Sequence, residues 1–566
     1  MNIGIEQQNV RALKSRSLPI STPHSSSDRQ RKMATVYENG RFFRTADGSF
    51  ASAMIVENGV ISHVGSETDH PVQIAKENKT LVVDMKGRTI LPGFIDGHMH
   101  LLLLGQSLNT LSLEQCKNLE DIRATIKNYA AANPSIPRIL CRGWMHSMTD
   151  GVALASMIDD LDPRPIFINS KDLHSAWCNT AALEELTCES MPDPEGGKIH
   201  RDANGKVSGL ISEAAAQILV WPHVAKLAPM EDKVDAIKQA IDAYTRVGYT
   251  GMIDMAMDEN CWEAFQVLRA QEKDLPIRLA AHWIINPSKD ESVNIRQVDR
   301  AIELHKQFNT ETSPNFRIAG IKVICDGVID ACTATLLEPY SSNGASPDAL
   351  WTREMLDPVV KKADEAGLQV ALHAIGDGAI KLAVDALEKC RQGRRHRVEH
   401  LELAAPAEAK RLGELQITAS IQPVHADPAI LRAWPKLLGE QRSSRAFPYK
   451  EFLTGGAILA LGSDSPTAPY APLVNMYTAT TRRSARQPLE ITTVNPEAAL
   501  SLAAAVSAAT QGAAYSCFAD KWTGRLEVGL KADFVVMELE WTPEKLLQGR
   551  VCQTWFEGRK VYDVEA

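Results

Sequence analysis

A chain of 566 residues with 44% apolar and 23% charged residues has the make-up of a water-soluble globular protein, and it is longer than one hydrophobic core usually organises. Its formal net charge of −9 leaves no broad basic surface, which argues against nucleic acid as a partner. The ten cysteines are scattered without a C-x-x-C pair, and no apolar run approaches the length of a membrane span, so a disulfide framework, a cysteine-built zinc site and a membrane protein are all disfavoured and a cytoplasmic location is expected.

Residues 15–33 are rich in Ser, Arg and Pro, nearly free of acids, and lack the apolar core of a secretory signal. We read 1–33 as a disordered tail; a mitochondrial-type leader, or sequence upstream of a start at Met33, are the alternatives. From 34 to 90 the chain reads as short strands punctuated by the turn signals Glu38-Asn39-Gly40, Asp47-Gly48 and Glu57-Asn58-Gly59. Residues 522–566 repeat that character. Neither end has enough strands for its own core, so the two are predicted to form one composite β-sandwich, with a large domain (91–521) inserted between them.

That domain begins in an apolar strand containing Val82, Val83, Ile90, Leu91, Phe94 and Ile95, broken by Pro92-Gly93 and ending in His98-Met99-His100. Alternate side chains of a strand share a face, so the two imidazoles point the same way, about 6–7 Å apart, and can grip one divalent ion. Two solvated histidines have the same pattern, so the partners decide. Seven further apolar runs alternate with helical patterns, at 249–254, 277–283, 316–325, 368–373, 396–400, 417–423 and 457–464. Eight parallel strands with helices outside make an α/β fold, a (β/α)8 TIM barrel. Residues 101–247 are left over. With strand-like runs at 138–141 and 165–168 and a polar hairpin candidate at 193–209, they read as a long insertion after the first strand, a lid over the barrel mouth. A different strand count would place those runs in the barrel itself.

The strand ends carry His98, His100, Lys322, His373, His400 and Asp464. In a TIM barrel these ends share one mouth, and four imidazoles with a carboxylate suit Zn2+ or a similar divalent ion. Substrate-binding candidates are Trp144, His146, His174, Trp177 and Glu213 in the insertion, and Asp326, Asp377, Gln422 and His425 on the barrel side. Each of these also fits plain packing.

The motifs Pro92-Gly93-Phe94-Ile95-Asp96-Gly97-His98-Met99-His100, His174-Ser-Ala-Trp-Cys-Asn-Thr-Ala-Ala182, Ile321-Lys-Val-Ile-Cys-Asp-Gly327, His373-Ala-Ile-Gly-Asp-Gly-Ala379, Val398-Glu-His-Leu401 and Gly462-Ser-Asp464 together resemble the amidohydrolase superfamily. The resemblance is to its YtcJ-like (amidohydrolase 3) branch, which includes N-substituted formamide deformylases, and it runs over about residues 35–566. It implies the composite β-sandwich and one or two metal ions per chain. His98, His100 and Asp464 would hold the more buried ion, and His373 and His400 the more exposed one. In related binuclear enzymes the strand-four lysine carries a CO2-derived carbamate that bridges the ions, which implies that role for Lys322; the alternative is a plain ammonium bonded to Asp326 or another carboxylate in a mononuclear site. A metal-bound hydroxide would attack the carbonyl carbon, with Asp464 accepting the proton and passing it to the leaving nitrogen.

The implied activity is hydrolysis of a non-peptide C–N amide bond in a small-molecule substrate, of the N-formyl or small N-acyl amine type, by a monomer or homodimer. A lyase (decarboxylase or hydratase) using the same cage, or an inactive binding scaffold, are the other readings. One departure stands out. After Asp326-Gly327 the branch commonly continues Ser-apolar-Gly-Ser-x-Thr-Ala, whereas this chain has Val328-Ile329-Asp330-Ala331-Cys332-Thr333-Ala334. Asp330 is therefore expected as a buried acid beside the site, suited to a cationic substrate or facing an arginine such as Arg142.

Overall fold

Eight short runs rich in Ile, Val, Leu and Ala are buried on both faces, which is why they are apolar almost throughout instead of alternating. In the computed structural model they are β1 (Phe94–Met99), β2 (Tyr249–Met257), β3 (Arg278–Ile285), β4 (Phe316–Ile324), β5 (Gln369–Ala374), β6 (Arg397–His400), β7 (Thr418–Ile421) and β8 (Leu459–Leu461). The structure describes residues 34–44, 48–171, 174–194 and 197–565, so the predicted tail at 1–33 and the first residue of the Asp47-Gly48 turn lie outside the described residues.

All eight strands pair in parallel and in chain order. The last gap, between β8 and β1, has no regular ladder and is bridged at the C-terminal end. There the Asp464 N–H donates to His98 O at 2.7 Å and the His100 N–H to Ser465 O at 2.9 Å. Two glycines permit this approach: a Cβ on Gly97 would lie 2.7 Å from Leu461 O, and one on Gly462 would lie 2.5 Å from His98 N. The result is a nearly closed eight-stranded barrel of the TIM type. Strand β8 is shorter than predicted because the chain turns towards β1 after Gly462, whose N–H still donates to Ile421 O at 2.9 Å.

The strand predicted to lead into His98 is shared among three sheets. Leu81–Asp84 pairs with Ala34–Glu38 in a four-stranded sheet, whereas Thr89–Pro92 pairs with Phe534–Glu538 from the other end of the chain. Only Phe94–Met99 enters the barrel, and Gly93, whose N–H donates to Asp533 O at 2.9 Å, is the point of transfer. The second terminal sheet therefore mixes both ends, in the order 559–563, 550–556, 534–538, 89–92, 41–44, 49–51. Tyr37, Met54, Phe42, Ile90, Phe534 and Val536, drawn from both sheets, form one buried apolar cluster.

Residues 101–247 contain helices Leu101–Asn109 and Met230–Arg246, packed on each other, and a separate six-stranded sheet. None of its strands joins the barrel, which removes the alternative strand count. The predicted runs appear as Ile139–Trp144 and Ile166–Ser170, and the hairpin as Gly197–Arg201 against Val207–Glu213. The sheet also contains Ser175–Cys178, which was not foreseen. It closes over a core of its own around Ile122, Ile139, Ile166 and two tryptophans. All ten cysteines are unpaired, and no helix among the described residues is long and apolar enough to cross a membrane.

Candidate metal and catalytic site

The rings of His98, in β1, and His100, one residue past its end, have centroids 5.7 Å apart. His98 Nδ1 lies 2.7 Å from Glu399 Oε2, so this nitrogen carries the proton and donates to the carboxylate. In the neutral ring Nε2 is then a lone pair, and it faces Asp464 Oδ1 at 3.3 Å, while His100 Nε2 is 3.0 Å from the same oxygen. In that form two acceptors, the His98 Nε2 and the Asp464 carboxylate, face each other as they do across a cation. His373 and His400 complete the cluster, with ring centroids 4.3 Å apart and His400 5.0 Å from His98. Buried atoms His100 Nδ1, His373 Nε2 and His400 Nδ1 have no hydrogen-bond partner among the described residues. Burial, reinforced by Lys322 for His373 and by His373 for His400, holds both imidazoles well below the usual histidine range, which keeps their lone pairs available. One nitrogen or oxygen from each of His98, His400 and Asp464 falls within 4.8 Å of the others. The donor set fits a divalent metal ion.

Lys322 is buried on β4, and desolvation pulls its pKa down to about 8 against the opposing charges of Glu399 and Asp464. It is not the partner of Asp326. Both Asp326 oxygens accept backbone N–H groups, from Ile375, Gly376 and Thr335 at 2.9–3.0 Å, and burial pushes this carboxyl up to about 7 despite them. Burial opposes ionisation of Asp464 too, but the protonated forms of His98 and His100, by charge and hydrogen bond, outweigh it and hold the carboxyl well below the usual range. The backbone is strained at this point: φ is +56° at Asp464 and +75° at His400, where non-glycine residues seldom sit.

Sequence reasoning missed the supports of this cluster. Arg397 and Glu399, two apart on β6, share a face and pair at 2.7 Å while fully buried; Arg397 also donates to Gly97 O and to Ser420 Oγ, at 2.6 and 2.8 Å. A charged pair at period two in a buried strand was the available signal. Asp96 also went unnoticed: its Oδ1 accepts the Ser463 and His98 N–H groups, and its Oδ2 accepts the Ser463 and Tyr244 hydroxyls. It thereby ties β1 to the loop carrying Asp464.

The predicted substrate-binding residues divide. His174 lies 6.2 Å from the His373 ring, and Glu213 secures it, accepting His174 Nδ1 at 2.7 Å and the Thr333 hydroxyl at 2.8 Å. His425 stacks on His400 at 5.8 Å, with Nδ1 3.4 Å from Glu402 and Nε2 3.6 Å from Asp464 Oδ2. Gln422 is buried at the end of β7 with Oε1 unpartnered among the described residues.

The others are engaged or placed differently. Trp144 and Trp177 are fully buried in the insertion's own core, their indole N–H groups bonded to Thr149 Oγ1 and Leu154 O, so they pack and do not line the site. His146 lies on the Trp144 ring. Asp377 Oδ1 accepts the Leu337 and Gly378 N–H groups, holding a loop, as Asp326 does. Asp330 is exposed and not a buried acid, and Arg142 is bonded to Glu114 at 2.8 Å and to Ser107 O. The substituted loop therefore adds no buried negative charge.

A parallel barrel with imidazoles and an aspartate at one mouth is the architecture of metal-dependent hydrolases, and the sequence model of the amidohydrolase family matches residues 81–562. The chain belongs to that family. It is 30% identical over 93% of its length to Protein LONG AFTER FAR-RED 3 of Arabidopsis thaliana, covering 91% of that protein. It is 27% identical to the putative amidohydrolase YtcJ of Bacillus subtilis, over 94% and 100% of the two chains, and 26% identical to N-substituted formamide deformylase of Arthrobacter pascens, over 92% and 97%. An uncharacterised metal-dependent hydrolase from Pyrococcus horikoshii superposes with a TM-score of 0.73 at 25% identity, over 90% of this chain and 98% of that one.

Proposed function

We propose that this metal-dependent hydrolase cuts a non-peptide C–N amide bond in a small molecule, of the N-formyl or small N-acyl amine type. The observation that carries the proposal is the apposition of His98 Nε2 and Asp464 Oδ1 at 3.3 Å in a cluster where His100 Nδ1, His373 Nε2 and His400 Nδ1 have no hydrogen-bond partner among the described residues. The likeness to a formamide deformylase supports the substrate type. His98, His100 and Asp464 would hold an inner ion and His373 and His400 an outer one, zinc being the expected metal. When bound, such ions polarise a carbonyl oxygen and bring the pKa of water near neutrality.

The protein's own groups supply the rest. Glu399 fixes the His98 tautomer, Asp464 is placed to take a proton, and His425, between Glu402 and Asp464, is placed to pass one on. With its pKa near 8, Lys322 has a neutral amine fraction at neutral pH whose lone pair can bond to the carbon of CO2, losing one proton and leaving a carbamate. The ten unpaired cysteines support a cytoplasmic setting, and the cluster shared by the two terminal sheets supports a composite β-sandwich.

The test is to screen metal-loaded protein against formamides, N-acyl amines, lactams and imides for amine release. Carbon dioxide release from carboxylate substrates, with no amine from any amide, would favour the lyase reading instead. Elemental analysis should find about one to two divalent ions per chain, and chelation should abolish activity. His98→Ala and His100→Ala should each lose most of the inner ion; unchanged occupancy in both variants would show that the strand-end assignment is wrong. Lys322→Ala should lower metal content towards a single ion, Lys322→Glu should recover part of it, and bicarbonate should speed reconstitution of metal-free protein. Reconstitution indifferent to bicarbonate would remove the carbamate.

A further inference from the structure

Asp254 lies in β2, buried, in register with Met99 at the end of β1, and has none of the metal or proton roles assigned above. Its carboxylate holds two backbone groups: Oδ2 accepts the Leu101 N–H at 2.9 Å and Oδ1 accepts the Ala256 N–H at 3.0 Å. Leu101 opens the helix that starts directly after His100, and the His100 N–H itself donates to Ser465 O at 2.9 Å. The backbone of His100 is therefore fixed from two sides, by β2 through Asp254 and by the loop that carries Asp464.

Both partners of this arrangement are incomplete. Among the described residues no lysine, arginine or histidine forms an ion pair with Asp254, although buried carboxylates are normally paired. A carboxylate offers about four lone-pair positions, and the two backbone N–H groups leave the rest open. Burial pushes this carboxyl up, and the strongest influence against that is the charge of a protonated His100, ahead of either backbone hydrogen bond. His100 Nε2 faces Asp464 Oδ1 at 3.0 Å, while its Nδ1 is buried with no hydrogen-bond partner among the described residues. A neutral imidazole that gives Nε2 to a metal ion carries its proton on Nδ1, and metal-bound histidines almost always donate that N–H to a carboxylate, a backbone carbonyl or water. His98 has such an acceptor in Glu399, at 2.7 Å.

We propose that Asp254 is the positioning residue of His100, as Glu399 is of His98: it fixes the backbone through the Leu101 N–H and, when Nε2 holds the inner ion, accepts the Nδ1–H after a small turn of the ring. The proposal rests on the metal-site reading above and adds to it a carboxylate that the cluster itself does not use. Each histidine of His98-Met99-His100 is then oriented by an acid from a different strand, β6 for the first and β2 for the second.

The test is cobalt titration of the full chain stripped of metal, read by visible absorption, for wild type, Asp254→Asn and Asp254→Glu. The inner ion is identified as the one that His98→Ala loses. Asparagine keeps an acceptor for the Leu101 N–H but offers no anion to the Nδ1–H, so Asp254→Asn should weaken the inner ion about 10–100-fold, and Asp254→Glu should regain part of the loss. Any outer ion should change by less than about twofold. NMR spectra of isotope-labelled histidine in the zinc-loaded wild type give a second readout. The His100 Nδ1 proton, assigned by its loss in His100→Gln, should resonate far downfield, as a proton donated to a carboxylate does, and should move upfield in Asp254→Asn. Inner-ion affinity in Asp254→Asn within about twofold of wild type, or an equal loss at both ions, would overturn the proposal. If the asparagine variant does not fold, the wild-type spectrum decides: a His100 Nδ1 with no proton, or with one that exchanges freely with solvent, overturns it. The two readings fail separately. Tight cobalt binding indifferent to the residue at 254 refutes the role of Asp254 and keeps the metal site, whereas a chain that binds no cobalt refutes the metal site and this proposal with it.

Discussion

Asp464→Asn is expected to lower kcat by at least about a hundredfold, the low end of what a general base contributes, while much of the bound metal and the fold survive. Asp464 is held by two histidines through one oxygen, and its other oxygen faces His425, so an amide of the same size keeps the shape of the contact. What asparagine lacks is basicity. Burial opposes its ionisation but is outweighed by the histidines beside it when they are protonated, which hold the carboxyl well below the usual range, so it is in the proton-accepting form at neutral pH. Turnover near that of the wild type would move proton transfer elsewhere, with His425 the next residue to test. Equal loss of metal, folding and activity would make Asp464 a structural ligand. Metal analysis and circular dichroism alongside the kinetics separate these outcomes.

Glu399→Ala should be the most destabilising single change at the site. Arg397 and Glu399 are both completely buried, and removing the acid leaves a guanidinium uncompensated in the barrel, for which breaking a buried pair typically costs about 3–5 kcal/mol. The same change frees the His98 ring, and loss of such an orienting partner usually weakens metal binding about 10–100-fold. Glu399→Gln keeps an acceptor for His98 but not the charge, so it should restore metal binding more than stability. Burial disfavours the Glu399 charge, but Arg397 and the His98 hydrogen bond outweigh it and hold the pKa well below the ordinary 4.5. The stabilisation from this group is therefore complete above about that pH and is lost as pH falls towards the folded-state value. Denaturant titration of wild type and both variants checks the prediction; a loss below about 1 kcal/mol, the scale of an exposed pair, would show that Arg397 is otherwise compensated.

The legible part of the site came from local periodicity. A strand of period two sends His98 and His100 to one face, and a chain of eight apolar runs places Lys322, His373, His400 and Asp464 at one end of one barrel. Those six residues lie at the ends of their strands or just beyond, a position that depends only on neighbours in sequence. Glu399 and Arg397 were within reach by the same rule, as charges two apart in a buried strand, but their pairing with each other and with His98 is a fact of packing. The tryptophans of the insertion show the opposite limit. Trp144 and Trp177 lie in a segment with functional-looking motifs, yet they close a separate core, because a six-stranded sheet needs apolar bulk of its own wherever it sits.

By itself, the sequence offered eight candidate barrel strands, the imidazoles and carboxylate at their ends and a long leftover segment, since these follow from periodicity and spacing along the chain, and it carried the motifs of the family resemblance. Only the tertiary structure decided that the stretch before His98 serves three sheets, that the strands of the insertion form a sheet of their own outside the barrel, that Asp326 and Asp377 hold loops, and that Asp330 is exposed. The reason is physical. Hydrogen bonds and charges act over a few ångströms in space, and residues such as His98 and Glu399, 301 positions apart, become neighbours only when the barrel closes.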